Sequence, residues 1–135
     1  LASNTGKASE AIFIKKIESQ TKSKVFRLRD AADLYGINKR KVNAFGQPSD
    51  FLVVSQGAIW FAEVKSTQNK TSFSLDCLTP SQKAACLQVT SCGGDYRIYI
   101  HNLCSDTWYL MTGAEYVEYK KTVKSVKWEN LNVLY

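Results

Sequence analysis

With 135 residues the chain is long enough for one compact domain spanning 1–135 and too short for two ordinary ones. Hydrophobic residues make up 44% and charged residues 22%, which excludes a disordered composition; no apolar run reaches membrane-spanning length and no signal-peptide pattern is present. The net charge of +6 and a pI near 9.2 give a surface that attracts phosphate backbones or anionic membranes.

Residues from about Lys7 to Gln20 predict a helix, with Phe13, Ile14 and Ile17 forming an apolar stripe at helical spacing. Glu10 precedes these by three, four and seven residues, so its carboxylate belongs at one end of the buried face. A first-turn acid favoured by the helix dipole is the plainer account of it. Lys24 to Arg29 alternates as a first strand, with Arg27 and Arg29 on one face. Arg29 to Gly36 predicts a helical turn, and Asn38 to Gln47 a polar, basic loop. Loops beside a functional centre commonly grip substrate, which makes Lys39, Arg40 and Lys41 candidate phosphate contacts.

The next stretch, Gln47 to Thr67, carries a chemistry. Two short apolar runs flank Ser55-Gln56-Gly57-Ala58 and predict a hairpin with Gln56-Gly57 at its tip. A two-residue turn sets Ser55 against Ala58, Val53 against Trp60 and Asp50 against Glu63. Paired positions hold their Cβ atoms about 4.5–5.5 Å apart, so these carboxylates would repel by roughly 3–4 kcal/mol at an effective dielectric near 20. A proton on one of them, or a divalent cation between them, relieves that repulsion, and hard oxygen ligands suit Mg2+ or Mn2+. Lys65 lies two residues past Glu63, on the same strand face. Both faces of the hairpin read as apolar, which predicts a central strand pair, where charges are rare without a use.

Pro48-Ser49-Asp50, then twelve residues, then Glu63-Val64-Lys65 resembles the signature of the PD-(D/E)xK nuclease superfamily, with Ser49 inserted between the proline and the aspartate. The resemblance implies a restriction-endonuclease-like αβββαβ core, with a central mixed sheet flanked by helices. It also implies a metal-dependent phosphodiesterase in which Asp50 and Glu63 bind Mg2+, Val64 offers its backbone carbonyl and Lys65 positions the attacking water. An acid from the first helix often completes such a site, which gives that role to Glu10.

Beyond Lys65, Ser72 to Leu75 predicts a short strand. Thr79-Pro80-Ser81-Gln82 opens a helix running to about Ser91, with Thr79 as N-cap, Pro80 at the first helical position and Gln82 placed for a capping box. A strand with phenylalanine and leucine followed by a helix bearing an early glutamine is similar to Holliday junction resolvases of the archaeal and RecU-like kinds. That likeness implies a catalytic role for Gln82. Gly93-Gly94 ends the helix, and Tyr96 to Ile100 with Trp108 to Met111 predicts a second hairpin. Gly113 to Thr122 is expected to be helical, and the apolar tail from Val126 to Tyr135 to pack on the core or on a partner chain.

Cys77, Cys86, Cys92 and Cys104 lack metal-ligand spacing, and His101 reads as a loop or strand-end residue. Reduced cysteines in an intracellular, cytoplasmic protein are expected. Together these readings predict a mixed α/β fold and a magnesium-dependent, structure-specific DNA endonuclease similar to Holliday junction resolvases, acting on branched DNA. A restriction- or repair-type endonuclease of the same superfamily, or a nucleic-acid-binding module without catalysis, is the alternative. Two symmetric cuts would require a homodimer, with Tyr116, Tyr119, Trp128, Leu131 and Leu134 as candidate interface residues.

Overall fold

The computed structural model of the protein describes residues 2–28 and 47–135. The expected helical turn after β1 and the candidate phosphate contacts Lys39, Arg40 and Lys41 lie outside the described residues. In chain order the elements are α1 (Ala2–Glu18), β1 (Ser23–Arg27), β2 (Phe51–Ser55), β3 (Ala58–Thr67) and β4 (Ser72–Ser74). A 3-10 turn (Leu75–Cys77), α2 (Pro80–Ser91), β5 (Tyr96–Asn102), β6 (Thr107–Thr112) and α3 (Gly113–Thr122) follow. The chain ends in β7 (Ser125–Lys127), a 3-10 turn (Trp128–Asn130) and β8 (Asn132–Val133).

The central sheet has the order β1-β2-β3-β5-β6-β8. Its pairs are antiparallel except β3 with β5, so the sheet is mixed, as the resemblance implied. A parallel pair needs a crossover, supplied here by β4, the first 3-10 turn and α2. Helices cover both faces, each over its own core. On one side Phe13 and Ile17 of α1 meet Val25, Phe51, Val53, Trp60, Val64, Tyr99 and Trp108. The Phe13 ring sits 4.6 Å from that of Tyr99 and 5.5 Å from that of Phe51; aromatic pairs of this kind add about 0.5–1.5 kcal/mol each beyond area burial. On the other side α2 and α3 close over Tyr96, Ile98, Ile100, Tyr109 and Met111. Strand β5 is buried on both faces, as a central strand must be.

The helix at the start is longer at its N-terminal end than the expected Lys7–Gln20 and stops at Glu18. Thr79 caps α2 as expected, and Gly93, with φ of 81°, supplies the left-handed residue after it. No helix is long and apolar enough to cross a membrane among the described residues.

Three expectations need correcting. The short strand expected from Ser72 to Leu75 ends at Ser74, because Leu75 opens a 3-10 turn, and as β4 it pairs with β7 in a separate two-stranded ribbon. The β2–β3 hairpin is not buried on both faces along its whole length. Its turn end leaves Ile59 60% exposed, beside Phe26 of β1 at 50%, because α2 and α3 lie over β5 and β6 rather than over the β1 edge.

The third correction concerns the candidate interface residues near the C-terminus. Tyr116, Trp128 and Leu131 belong to the core, while Tyr119 and Leu134 pack partly buried against the two clusters. The Trp128 ring stacks on Tyr109 at 4.9 Å, and its indole N–H donates to the Asn69 carbonyl at 3.0 Å. The tail is further pinned by pairing of β8 with β6 and by Leu134 N–H donating to the Trp108 carbonyl at 2.7 Å. Trp128→Glu is therefore expected to cost more than about 3 kcal/mol, the lower bound for emptying such a site, because it also buries a charge. Urea denaturation measures this, and a folded variant of normal stability would return Trp128 to an intersubunit surface.

Candidate active site

Gln56 and Gly57 both have positive φ, 50° and 86°, the geometry of a two-residue hairpin turn whose twist matches the strands. The register follows as expected: Ser55 faces Ala58 and Val53 faces Trp60. Because Phe61 packs on the α2 side of the sheet, Glu63 and Lys65, two and four residues on, share that side. The backbone ladder stops at Phe51 and Ala62, one step before Asp50 and Glu63. Past that point side chains replace it. Asp50 N–H donates to Glu63 Oε2 at 3.2 Å, and Val64 N–H donates to Asp50 Oδ2 at 3.2 Å.

Glu63 is 1% exposed. Its Oε1 accepts from Gln82 Nε2 at 2.9 Å and lies 3.7 Å from Lys65 Nζ. Burial pushes its carboxyl up to about 9, with the Asp50 charge and a shared hydrogen bond to Asp50 acting in the same direction and Lys65 opposing them. Without a cation, burial and the neighbouring Asp50 therefore favour the protonated form of Glu63 at neutral pH. Its contact with Lys65, too long for a hydrogen bond, is then between an ammonium and a neutral acid.

Gln82 serves two purposes at once. Its Oε1 accepts from Thr79 N–H at 2.9 Å, completing the capping box, while its amide nitrogen reaches Glu63. The capping role and the site role are one conformation.

Two residues that sequence reasoning passed over hold the approach to Asp50. The Tyr96 hydroxyl donates to the Pro48 carbonyl at 2.6 Å, and burial, followed by the Glu63 charge, pushes that hydroxyl far above its usual range, so it stays a donor. Ser49 is 4% exposed and its hydroxyl donates to the Phe51 carbonyl at 2.7 Å. The extra residue before the aspartate thus closes a local bend. Its position beside Asp50 was the available signal; nothing in the sequence pointed from Tyr96 to Pro48. On the outer side, Leu28 N–H donates to the Asp50 carbonyl at 2.9 Å.

These groups line a cleft of about 470 Å³ whose walls include Asp50, Glu63, Gln82, Ser81, Glu10 and Arg27. Glu10, on α1, lines the same cleft, and its Oε1 accepts from Arg27 Nη1 at 2.8 Å. No group of three His, Cys, Asp or Glu side chains is gathered for a metal ion among the described residues. Val64 lies on β3 with its side chain in the α1-side core. His101, at the end of β5, is buried: Nδ1 lies 2.8 Å from Ser9 Oγ, Nε2 lies 2.7 Å from Asp106 Oδ1, and the ring stacks on Trp108. The four cysteines are free thiols.

The site thus sits at the open end of a hairpin in a mixed sheet with helices on both faces, the restriction-endonuclease-like arrangement. The structure is similar to that of Hjc, a Holliday junction resolvase from the archaeal hyperthermophile Archaeoglobus fulgidus, with a TM-score of 0.55 over 91% of this chain and 82% of that one. At 12% sequence identity this likeness shows the shared fold. No protein-family model matches the chain, and no curated protein matches it.

The Glu63 carboxyl makes a pH prediction. Its folded value near 9 exceeds the ordinary 4.5, so between those values the folded chain binds more protons than the unfolded one. Stability in chelator should therefore fall as pH rises through that window, and Glu63→Gln should flatten the decline. Melting temperatures across the window test this; equal slopes for both proteins would mean that Glu63 is ionised throughout.

Proposed function

We propose that the chain is a magnesium-dependent DNA endonuclease that hydrolyses phosphodiester bonds, with branched DNA as its substrate. The observation that carries this reading is the half-buried Asp50 and buried Glu63 sharing one cleft with Gln82, with Lys65 Nζ 3.7 Å from Glu63 Oε1. The donor set fits a hard divalent cation: two neighbouring carboxylates, of which Glu63 is pushed toward its neutral form by burial and by Asp50, opening on a cleft with room for water and a phosphate. Asp50 and Glu63 would hold the ion, with the Val64 carbonyl and Glu10 as further oxygen donors. When bound, the ion polarises the phosphate and lowers the pKa of water.

The chain's own groups have distinct tasks. Gln82 fixes the Glu63 carboxylate from the helix side, and Tyr96 and Ser49 fix the segment that presents Asp50. Lys65, held beside Glu63, orients the attacking water and stabilises charge that develops on the phosphate oxygens. Water forms a new bond to phosphorus as the ester oxygen departs, leaving a phosphomonoester and a hydroxyl end. Lys39, Arg40 and Lys41 would contact phosphates flanking the cut.

The similarity to a resolvase fold supports four-way junctions as the first substrate to try, and paired incision would need two copies of the chain. With Tyr116, Trp128 and Leu131 committed to the core, a pairing surface would lie elsewhere.

Asp50→Asn and Glu63→Gln are expected to abolish cleavage of a labelled four-way junction in magnesium while leaving junction binding in chelator largely intact. Lys65→Ala should slow single-turnover cleavage by about 10²–10³-fold with metal affinity nearly unchanged. Cleavage retained in both carboxylate variants would end the nuclease reading and favour a DNA-binding module.

A further inference from the structure

Residues Lys120 to Lys127 carry four lysines and no acid, and the fold ties them to the crossover that builds the cleft. Pairing of β7 with β4 sets Lys127 opposite Ser72, and Leu75 N–H donates to the Lys124 carbonyl at 2.9 Å. The first 3-10 turn, which begins at Leu75, runs directly into Thr79 and α2, whose start forms one wall of the cleft. Two shallow depressions follow this seam. One, of about 300 Å³, lies between that turn and α3 and includes Lys83, Lys120 and Lys124; the other, of about 520 Å³, lies at the β4–β7 ribbon and includes Lys70 and Lys127. Together their walls hold five lysines against two acids, Asp76 and Glu129.

The positive charge is largely uncompensated. Asp76 is taken by Lys83 at 2.6 Å, whereas Lys70, Lys120, Lys124 and Lys127 are exposed and have no ion-pair partner among the described residues. The aromatics along the seam are turned inward: Tyr116 is 2% exposed and Trp128 9%. A single strand would use exposed rings to stack its bases, and a membrane would use apolar side chains to insert; Val123 is the one large hydrophobic residue exposed here among the described residues. What the seam offers is a set of exposed ammonium groups around two neighbouring depressions, suited to a phosphate backbone.

We propose that Lys120, Lys124, Lys127 and Lys70 form a second DNA-contacting surface that grips the backbone of a duplex arm leaving the cleft. It rests on the reading of that cleft as a DNA-cleaving site. The surface lies on the α2–α3 side of the sheet, the side of Glu63 and Lys65, so one duplex can run from the cut phosphate along the seam. These lysines position the DNA and take no part in the chemistry.

The test is binding of a DNA duplex in chelator over a range of salt concentrations, for the parent and for Lys120→Ala/Lys124→Ala/Lys127→Ala. Each lost phosphate contact lowers the slope of log affinity against log salt by about 0.9, so the triple variant should be less steep by about 2–3 units, with weaker binding at low salt. Restoring charge as Lys120→Arg/Lys124→Arg/Lys127→Arg should recover the slope. An unchanged slope overturns the proposal, as does an unchanged DNA slope accompanied by lost binding to anionic phosphatidylserine vesicles. Because binding is read in chelator, a parent that fails to cut would defeat the nuclease reading without touching the slope comparison.

Discussion

Two carboxylates held at the end of a strand ladder, with too little water around one of them to stay charged, are the constraint on which the rest of this structure depends. At about 5 Å and an effective dielectric near 20 the repulsion between two such charges is about 3 kcal/mol, and burial of Glu63 adds to it. The fold maintains the arrangement from three directions. The two-residue turn at Gln56-Gly57 fixes the register that brings Asp50 to Glu63. The α1-side core beneath Phe51, Ala62 and Val64 keeps both strands in place. From above, Gln82 donates to Glu63 while Tyr96 holds the backbone just before Asp50.

The crossover between the parallel strands β3 and β5 links this site to the remainder of the chain. It must pass over one face of the sheet, and it lays the start of α2 against the middle of β3, where Gln82 meets Glu63. The same excursion carries β4, which recruits β7 and with it the lysines after α3. The helical wall over Glu63 and the placement of the C-terminal lysines are therefore consequences of one connection. The exposed Phe26 and Ile59 mark the opposite edge, where α1 covers one face but no helix of the described residues lies over the α2–α3 side of the sheet.

The site's centre was legible in the sequence because it obeys local rules. A glycine-containing tip between two β-branched runs gives the hairpin register, and counting outward from it pairs Asp50 with Glu63. Thr79-Pro80-Ser81-Gln82 likewise declares its own helix start. What could not be read were contacts between residues far apart in sequence whose partners are backbone carbonyls: Tyr96 with Pro48, and Trp128 with Asn69. Apolar character alone also failed to tell a core residue from an interface residue, so Tyr116, Trp128 and Leu131 stayed open between core and partner chain until β7 and β8 were seen to fold back. Glu10 shows the same limit. Helical spacing puts it at the end of the buried stripe, but only the strand geometry reveals Arg27 as its partner.

The account centres on a proton held on Glu63 that a divalent cation would displace. Calorimetric titration of the chelator-treated protein with Mn2+ at neutral pH, in buffers of different ionisation enthalpy, counts the protons released on binding. The account predicts release of about one proton per ion bound, as Glu63 gives up its proton to become a ligand, and none from Glu63→Gln. Binding with no proton release by the parent, or binding and release unaltered by Glu63→Gln, would contradict it.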